Sequence, residues 1–298
     1  MVFDEARFHE LLIERFGAPA SPGVELGIGD DGAILRSDEP FVIAKDASFD
    51  GVDFVASECG ARAAGRKALA KNLSDLAAMG VRPWCALVTV GFPDGATEVD
   101  ASALLDGLAE AAGPFDLAIV GGDTKRSPTG LLLDVTVLGL PGVRPPVRRS
   151  GARVGDILVV TGPLGGSIGG HHLTFTPRVE AGLRLNEDGH ARAMIDLSDG
   201  LSSDLHRLCA ASGVGASIDG AAVPVRAGAN LEGALRDGED YELLCALPPE
   251  SVAAMIDQRV AVRVGTVVAA AEGVTITTGE GCRPIDDAGF RHRFGGAG

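Results

Sequence analysis

The pattern of hydrophobic and polar positions along the chain predicts short strands and helices in mixed order. Apolar residues recur at helical spacing in three segments, 7–16, 61–79 and 99–112. Apolar runs of strand length cover residues 24–29, 41–49, 84–92, 117–123, 131–140 and 156–162. Because strands and helices do not alternate strictly, the pattern favours an α+β or mixed α/β fold over a doubly wound sheet.

The chain is long enough for two domains. Its 298 residues exceed the usual domain length of about 100 to 200 residues. A turn-rich basic stretch, PGVRPPVRRSG, occupies residues 141–151, and the alternation of apolar and polar segments restarts beyond it. We therefore predict a first domain at 1–146 and a second at 147–298.

The net charge and the cysteine content indicate which partners the protein can bind and in which cellular compartment it lies. Lys plus Arg number 26 against 41 Asp plus Glu, a formal charge of −15 that repels nucleic-acid phosphates and anionic lipid, so we expect neither partner. The five cysteines are odd in number and never form C-x-x-C, a pattern typical of reduced thiols. The N-terminus has no apolar signal-peptide core, and no apolar run of membrane-spanning length occurs. These features predict a cytoplasmic protein.

Acidic residues recur beside glycine at predicted strand ends and helix starts. Hard oxygen donors in that setting suit Mg²⁺, which takes a few carboxylates together with phosphate oxygens and water. A single aspartate beside glycine is more often a turn former or a helix cap, so the joint pattern carries the interpretation. Its members are Asp30, Asp31, Asp46, Asp75, Asp123, Asp196, Asp199 and Asp240.

Three of these segments each admit a structural alternative. Lys67, Lys71 and Asp75 share one helix face, which is either a salt-bridged surface stripe or part of a site. The segment LAIVGGDTKR could expose backbone N–H groups to phosphate at its two glycines, or form a tight hairpin. In AMIDLSDGL the acids either converge on a metal–nucleotide position or cap the following helix.

The segments GEDYELL and His171-His172 are also ambiguous. GEDYELL places Glu239 near the single tyrosine, either as a ligand-binding loop or as a solvated acidic turn. The two histidines lack the i+4 partner of a helical zinc site, so we expect them in a loop.

Several stretches follow one another from about residue 24 to 247: VELGIGDDGAIL, KALAKNLSDLAAMGVRP, LAIVGGDTKRSP, RRSGARVGDILVVTGPLGGS, FTPRV, AMIDLSDGL, SGVGASID and DGEDYELL. Together they resemble the thiamine-monophosphate kinase family, within the superfamily of aminoimidazole ribonucleotide synthetase and selenophosphate synthetase. The resemblance implies a two-domain aminoimidazole ribonucleotide synthetase-like fold. Its N-terminal domain would bind ATP and several Mg²⁺ ions and pair in a homodimer, and its C-terminal α/β domain would close over the nucleotide.

The resemblance also implies an activity and its residues. The reaction would move the γ-phosphoryl group of ATP to thiamine monophosphate, giving thiamine diphosphate. Positioning and charge neutralisation do most of this chemistry, so no general base is assigned, and Asp199 is expected to be essential. The implied metal ligands are Asp31, Asp46, Asp75, Asp123, Asp196 and Asp199. The implied ATP contacts are Gly122, Asp123, Arg149 and Ser198, and the implied substrate contacts are Asp53, Glu239 and Phe290.

Two departures from the family pattern fall on the acceptor side. Lys45, in Ala44-Lys45-Asp46, stands where the family has a hydroxyl residue, and Asp53 stands where it has histidine. Asp53 would repel a substrate phosphate unless a metal or Lys45 pairs with it. Two alternatives therefore stay open: an ATP-dependent enzyme of the same fold with another acceptor, and a nucleotide-binding paralogue without turnover.

Overall fold

The computed structural model describes residues 4–17, 21–28 and 33–290. The chain forms two compact units. The first runs through Leu76, resumes from Val81 to Pro141 and includes Leu173–Pro177, and the second comprises Ala77–Gly80, Gly142–His172 and the chain from Arg178 onward. The predicted metal ligand Asp31 and its neighbour Asp30 lie outside the described residues.

The first unit is a four-stranded sheet with helices. In chain order its elements are α1 (Glu5–Phe16), β1 (Val24–Leu26), β2 (Ile34–Leu35), β3 (Val42–Phe49), α2 (Ala56–Ala78), β4 (Val81–Phe92), α3 (Glu98–Ala112), β5 (Ala118–Arg126) and β6 (Leu132–Pro141). The sheet order is β3-β6-β4-β5, with only β4 and β5 parallel among these pairs, and β1 and β2 form a separate antiparallel pair. The predicted mixture of helices and strands is therefore confirmed.

One face of this sheet is buried and the other is more open. Leu133, Val135 and Val137 on β6 are fully buried, whereas Asp134 and Thr136 alternate with them and line a cavity of about 1290 Å³. This alternation follows from the two-residue side-chain period of a strand. The more open face therefore carries polar groups that a core strand would exclude.

Helix α2 supplies much of the first unit's interior. Gly60 interrupts its start with φ 77° and ψ 163°, so the continuous helix follows from Ala61. Ala64, Leu69 and Leu73 have no exposed surface. The periodicity of residues 61–79 therefore predicted this element well, because small and apolar residues recur on its packed faces.

The second unit is built on a seven-stranded sheet. Its elements are β7 (Ile157–Val160), α4 (His171–Thr174, of which the last two residues belong to the first unit), α5 (Val179–Glu187), β8 (Ala193–Asp196), α6 (Leu201–Ser212), β9 (Gly215–Asp219), α7 (Leu231–Arg236), β10 (Leu243–Leu247), α8 (Pro249–Asp257), β11 (Val262–Val268), β12 (Val274–Thr278) and β13 (Gly281–Pro284). The strand order is β13-β12-β9-β11-β7-β10-β8. Only β12 and β9 run parallel among the paired neighbours of this sheet.

A continuous hydrophobic core stabilises the second unit. Leu158 and Val160 from β7, Ile195 from β8 and Leu205 from α6 all belong to it. The core also includes Ile285, which directly follows β13. No helix in the described ranges has the length and apolar character needed to span a membrane.

Candidate active-site loops and their relatives

Asp46 is fixed by an amide from helix α2. Its backbone N–H donates to Asn72 Oδ1 at 2.8 Å, and Asn72 Nδ2 donates in turn to the Ala68 carbonyl at 2.8 Å. Asp75 lies one turn further along the same helix and is half-buried. The polar face predicted on this helix therefore contacts β3 through Asn72. A solvated surface stripe would not make this contact.

The carboxylate of Asp53 is held by Lys71. Lys71 Nζ lies 3.0 Å from Asp53 Oδ1, donates to the Ala47 carbonyl at 3.0 Å, and lies 3.9 Å from Asp46 Oδ2. The Phe49 N–H donates to the other Asp53 oxygen at 2.8 Å. Lys71 on α2 therefore supplies the charge that neutralises Asp53. The suggestion that Lys45 would pair with Asp53 is wrong.

Lys45 pairs across the sheet instead. Its ammonium group contacts Asp134 on the neighbouring strand β6. Both side chains line the 1290 Å³ cavity, together with Thr89 and Thr136. Lys45 therefore neutralises an acid on the open face of the sheet.

The Gly-Gly-Asp segment lies within strand β5. Gly122 pairs with Val88 in parallel register, and a Cβ atom there would lie 1.8 Å from the Val88 carbonyl oxygen, so only glycine fits. The hairpin alternative is wrong, because β5 continues to Arg126. Gly122 and Asp123 both line the cavity, and Asp123 Oδ1 accepts from the Thr124 N–H at 2.8 Å.

Residues 196–200, which we call the D-loop, connect β8 to α6. Asp196 ends β8 and is buried, whereas Ser198 and Asp199 are half-buried. The N-cap of α6 is Gly200 and no side chain caps it, so the alternative that Ser198 or Asp199 caps this helix is wrong.

A buried acid stands behind the D-loop. Asp204 Oδ2 accepts from the Asp199 N–H at 3.0 Å, and Arg207 contacts both Asp204 at 2.7 Å and Asp199 at 2.5 Å. Burial raises the pKa of Asp204 to about 7, although the Asp199 N–H lowers it. The backbone and the carboxylate of Asp199 are thus both oriented by groups on α6.

Residues 238–242, which we call the GEDYE loop, are hydrogen-bonded to the D-loop. The Glu239 N–H donates to the Ser198 carbonyl at 2.7 Å, and the Tyr241 N–H donates to the Leu197 carbonyl at 2.9 Å. Glu239 and Tyr241 both have left-handed backbones, with φ 54° and 52°. Such strain in non-glycine residues persists only where the surroundings enforce it, and it is typical of ligand-binding loops.

Two ion pairs with buried carboxylates hold the GEDYE loop in place. Asp240 contacts Arg226 at 3.1 Å, and Glu242 contacts Arg178 at 2.5 Å. Burial raises the pKa of Asp240 to about 6, partly offset by the Gly165 N–H and Arg226. The solvated-turn alternative for GEDYELL is wrong, because Asp240 and Glu242 are each 1% exposed.

A third segment, residues 287–290, attaches to the start of α6, and we call it the strap. Ser203 Oγ donates to Asp287 Oδ1 at 2.7 Å and accepts from the Gly289 N–H at 2.9 Å. The Phe290 N–H donates to the Asp199 carbonyl at 3.0 Å. A Cβ on Gly289 would lie 2.2 Å from that carbonyl oxygen, so the strap needs glycine at this point.

Of the six predicted site residues in the second unit, four are linked to one another, Asp196 lies just before them at the end of β8, and Arg149 lies apart. Ser198, Asp199, Glu239 and Phe290 are linked by main-chain hydrogen bonds. Arg149 is exposed, and its carbonyl accepts from Ser212, at the opposite end of α6 from Asp199. Its role as an ATP contact stays a prediction.

The residues that sequence reasoning missed lie around these segments: Lys71 as the partner of Asp53, His172, Ser203, Asp204 and Arg207. The Ser203–Asp287 pair spans 84 residues and leaves no local pattern. The histidines were expected in a loop, but both lie in the short helix α4. His172 contacts Glu239 there.

The predicted carboxylates are oxygen donors of the kind that bind Mg²⁺. Among residues 4–17, 21–28 and 33–290, no group of three or more His, Cys, Asp or Glu side chains is arranged to hold a metal. Mg²⁺ in nucleotide sites commonly takes only one or two carboxylates, with phosphate oxygens and water completing its shell. Asp46, Asp75 and Asp123 in the first unit, and Asp196 and Asp199 in the second, are each oxygen donors of the kind that such coordination uses.

Comparison with known proteins places the chain in a family. Residues 29–140 match the family "AIR synthase related protein, N-terminal domain", and residues 153–277 match the corresponding C-terminal domain. The thiamine-monophosphate kinase of Rhodopirellula baltica is 42% identical over 252 residues, covering 78% of this chain and 79% of that protein. The chain belongs to the thiamine-monophosphate kinase family.

Other members of the thiamine-monophosphate kinase family are also similar to this chain over most of its length. The enzyme of Caulobacter vibrioides is 33% identical over 298 residues, covering 89% of this chain and 81% of its own. The solved thiamine-monophosphate kinase of Stenotrophomonas maltophilia K279a has a TM-score of 0.77 at 33% identity, covering 91% of this chain and 94% of its own. The structure of AaThiL complexed with AMPPCP and TMP has a TM-score of 0.76 at 26% identity, covering 98% of this chain and 99% of its own.

The family resemblance and the two-domain fold predicted from the sequence are thereby confirmed. Hydrogenase maturation protein HypE complexed with ATP has the same fold, with a TM-score of 0.76, but only 20% identity. It therefore supports the fold alone. The roles of individual residues of this chain within the thiamine-monophosphate kinase family stay predictions.

Proposed function

We propose that this chain phosphorylates thiamine monophosphate with ATP in the presence of Mg²⁺, giving thiamine diphosphate. The observation that carries the proposal is the main-chain link between Ser198 and Glu239 and between Asp199 and Phe290. These bonds join residues predicted to meet nucleotide and metal to residues predicted to meet the acceptor. The family relative AaThiL, solved as a complex with AMPPCP and TMP, supports the same pair of ligands.

The proposed mechanism relies on alignment. Bound Mg²⁺ would neutralise the phosphate charges that otherwise repel each other. The backbones of Ser198 and Asp199 are held by α6 and by the GEDYE loop, so this part of the site is ordered before nucleotide arrives. The acceptor phosphate is already ionised near pH 7, and no side chain has to remove a proton. Asp196 and Asp199 would bind metal in the second unit, and Asp46, Asp75 and Asp123 in the first.

The test is a product assay. Purified protein is incubated with ATP, Mg²⁺ and thiamine monophosphate, and thiamine diphosphate is resolved by chromatography. We expect product from the unmodified chain and from Asp257→Asn, an exposed acid outside the site, but none from Asp199→Asn. Equal product from all three proteins would refute the assignment of Asp199.

A second candidate is an enzyme of the same fold with a different acceptor. The Lys71–Asp53 and Lys45–Asp134 pairs favour it, because both fall where the sequence departs from the family pattern. Mg²⁺-dependent ATP binding without thiamine diphosphate formation, together with ADP release on another acceptor, would support this candidate. ATP binding without any ADP release would indicate a paralogue that lacks turnover.

We also propose a homodimer formed through the open face of the first unit's sheet. Phe41 and Ile43 are 47% and 59% exposed and line the cavity on this face, and exposed apolar side chains that lie together are typical of protein–protein contacts. Light scattering after size exclusion tests it: we expect a dimer for the unmodified chain and a monomer for Ile43→Asp. A monomer in both cases, at micromolar concentration, would refute the dimer.

A cytoplasmic location is the remaining part of the proposal. It is supported by the free state of the five cysteines, three of which are buried. Burial raises the pKa of the Cys85 and Cys209 thiols to about 11, so they stay protonated and unreactive near pH 7. Cell fractionation with an antibody to the chain tests it, and recovery outside the cytoplasmic fraction would refute it.

A further inference from the structure

The backbone of Asp199 is fixed at both of its polar groups. Its N–H donates to Asp204 Oδ2 at 3.0 Å, and its carbonyl accepts from the Phe290 N–H at 3.0 Å. Asp204 lies on α6 beside the fully buried Leu205, so it belongs to a packed part of the second unit. A loop residue that is bonded to a packed helix is positioned more precisely than one on a free loop. The direction in which the Asp199 side chain leaves the main chain is therefore set by α6 and the strap.

Arg207 orients the carboxylate of Asp199. Arg207 Nη1 lies 2.5 Å from Asp199 Oδ2 and donates to Asp204 Oδ1 at 2.7 Å. Asp204 and Arg207 are three residues apart on α6, the spacing that places two side chains on one face of a helix. One nitrogen of Arg207 therefore bridges the two carboxylates, and the buried Asp204 holds the guanidinium group in place.

The two carboxylates that Arg207 bridges differ in what they can still bind. Asp204 is 1% exposed, and its two oxygens accept from the Asp199 N–H and from Arg207. The Asp199 side chain is 23% exposed, and within the described part of the chain Arg207 is the one polar partner of its carboxylate. An ionised carboxylate offers about four lone-pair positions. Asp199 is therefore both oriented by Arg207 and open to a metal ion, whereas Asp204 is not.

We propose that Arg207 is a positioning residue that holds the Asp199 carboxylate ready to bind Mg²⁺ together with the nucleotide. This inference rests on the part of the proposed function in which Asp199 binds metal. Carboxylates that bind metals are themselves held by hydrogen bonds from neighbouring residues, and the loss of such a partner commonly weakens metal binding by about 10- to 100-fold. A carboxylate that is already oriented also loses less side-chain entropy when the metal binds. Arg207 contacts Asp199 and does not contact the metal.

The experiment measures metal binding without turnover. Mn²⁺ replaces Mg²⁺, and its binding in the presence of AMPPCP is followed through the relaxation rate of the water protons. Arg207→Met removes the charge, whereas Arg207→Lys keeps a cation whose single nitrogen can donate to both carboxylates, as Nη1 does. Arg184→Met removes another partly exposed arginine of the same unit, which pairs with Asp188 at 3.5 Å, and is the matched control.

We expect Arg207→Met to raise the half-saturating concentration of Mn²⁺ by about tenfold or more, the effect of removing a residue that orients a metal ligand. At saturating Mn²⁺ the affinity for AMPPCP, measured by calorimetry, should stay within about twofold of the unmodified chain. Arg207→Lys should recover most of the loss, since its cation remains, and Arg184→Met should match the unmodified chain. The melting temperature of each variant is measured alongside.

Three outcomes would overturn the inference. An unchanged half-saturating concentration of Mn²⁺ in Arg207→Met means that the contact does not prepare Asp199 for metal. A lower concentration means that Arg207 competes with the metal for this carboxylate. Equal losses in Arg207→Met and Arg207→Lys, with a parallel fall in melting temperature, mean that Arg207 only maintains the fold.

The same measurements separate this inference from the proposed function. If the unmodified chain binds Mn²⁺ no more tightly than Asp199→Asn does, Asp199 is not a metal ligand, and both the assignment and this inference are refuted. If the unmodified chain forms no thiamine diphosphate, the proposed reaction is refuted, but the comparison of Mn²⁺ binding still decides this inference because it involves no acceptor.

Discussion

Replacing Lys71 by methionine should destabilise the first unit, because it leaves the Asp53 carboxylate without its cation. Met keeps the length of the side chain but removes the charge 3.0 Å from Asp53 Oδ1. At an effective dielectric constant of about 20, two unit charges at that distance attract by about 5.5 kcal/mol before desolvation is subtracted. The Lys71 and Asp53 side chains are only 9% and 15% exposed, so solvent compensates little.

The expected net loss is smaller than that attraction. Removing one partner of a buried pair costs about 3 to 5 kcal/mol. Asp53 keeps the Phe49 N–H, so we expect about 3 kcal/mol, the lower end of that range. For a unit of this size the melting temperature should fall by about 6 to 12 °C.

Urea denaturation of four proteins tests the reasoning: the unmodified chain, Lys71→Met, Asp53→Asn, and both changes together. The double variant should regain about 2 kcal/mol relative to the sum of the single losses, because no unpaired charge remains. Lys125→Met removes an exposed lysine paired with Asp123 and should cost less than about 1 kcal/mol. A Lys71→Met loss as small as that of Lys125→Met, or the absence of coupling with Asp53→Asn, would refute the ion-pair account.

Two further predictions concern the second unit. Gly289→Ala should displace the strap, because its Cβ would lie 2.2 Å from the Asp199 carbonyl, and so raise KM for the acceptor, whereas Gly279→Ala points into open space and should have no effect. Equal kinetics of the two variants would show that the strap does not position the site. Asp240 has its pKa raised from 3.8 to about 6, so folding favours its protonated form, and the free energy of unfolding should fall as pH rises from about 4 to about 6. Asp240→Asn should flatten the urea stability profile across that window, and an unaltered pH slope would contradict the assignment.

Sequence reasoning succeeded where a signal was local. The helix from Ala61 was predictable because its apolar spacing is regular. The non-helical backbone of Gly60 marks its start in the structure. The D-loop was predictable because an apolar strand runs directly into Asp-Leu-Ser-Asp-Gly before a helix. In both cases neighbouring residues carry the whole pattern.

Elsewhere the outcome depended on partners distant in sequence. Gly122 was expected near the end of its strand or in a tight hairpin, but pairing with β4 continues β5 beyond it, and a single strand's composition does not reveal its neighbour. The partner of Asp53 is 18 residues away on a helix, where Lys71 follows Lys67 at a spacing equally typical of a solvated face. Whether that face meets water or a strand is decided by tertiary packing alone.

The strap also has a consequence for the order of folding. Ser203 and Asp287 are 84 residues apart, and closing so long a separation costs more chain entropy than forming the local turns around it. Ile285, two residues before the strap, packs in the core, whereas the hydrogen bonds that attach the strap to Ser203 and Asp199 lie near the surface. It should therefore form late and open first on warming, so that heat abolishes use of the acceptor before it unfolds the sheet.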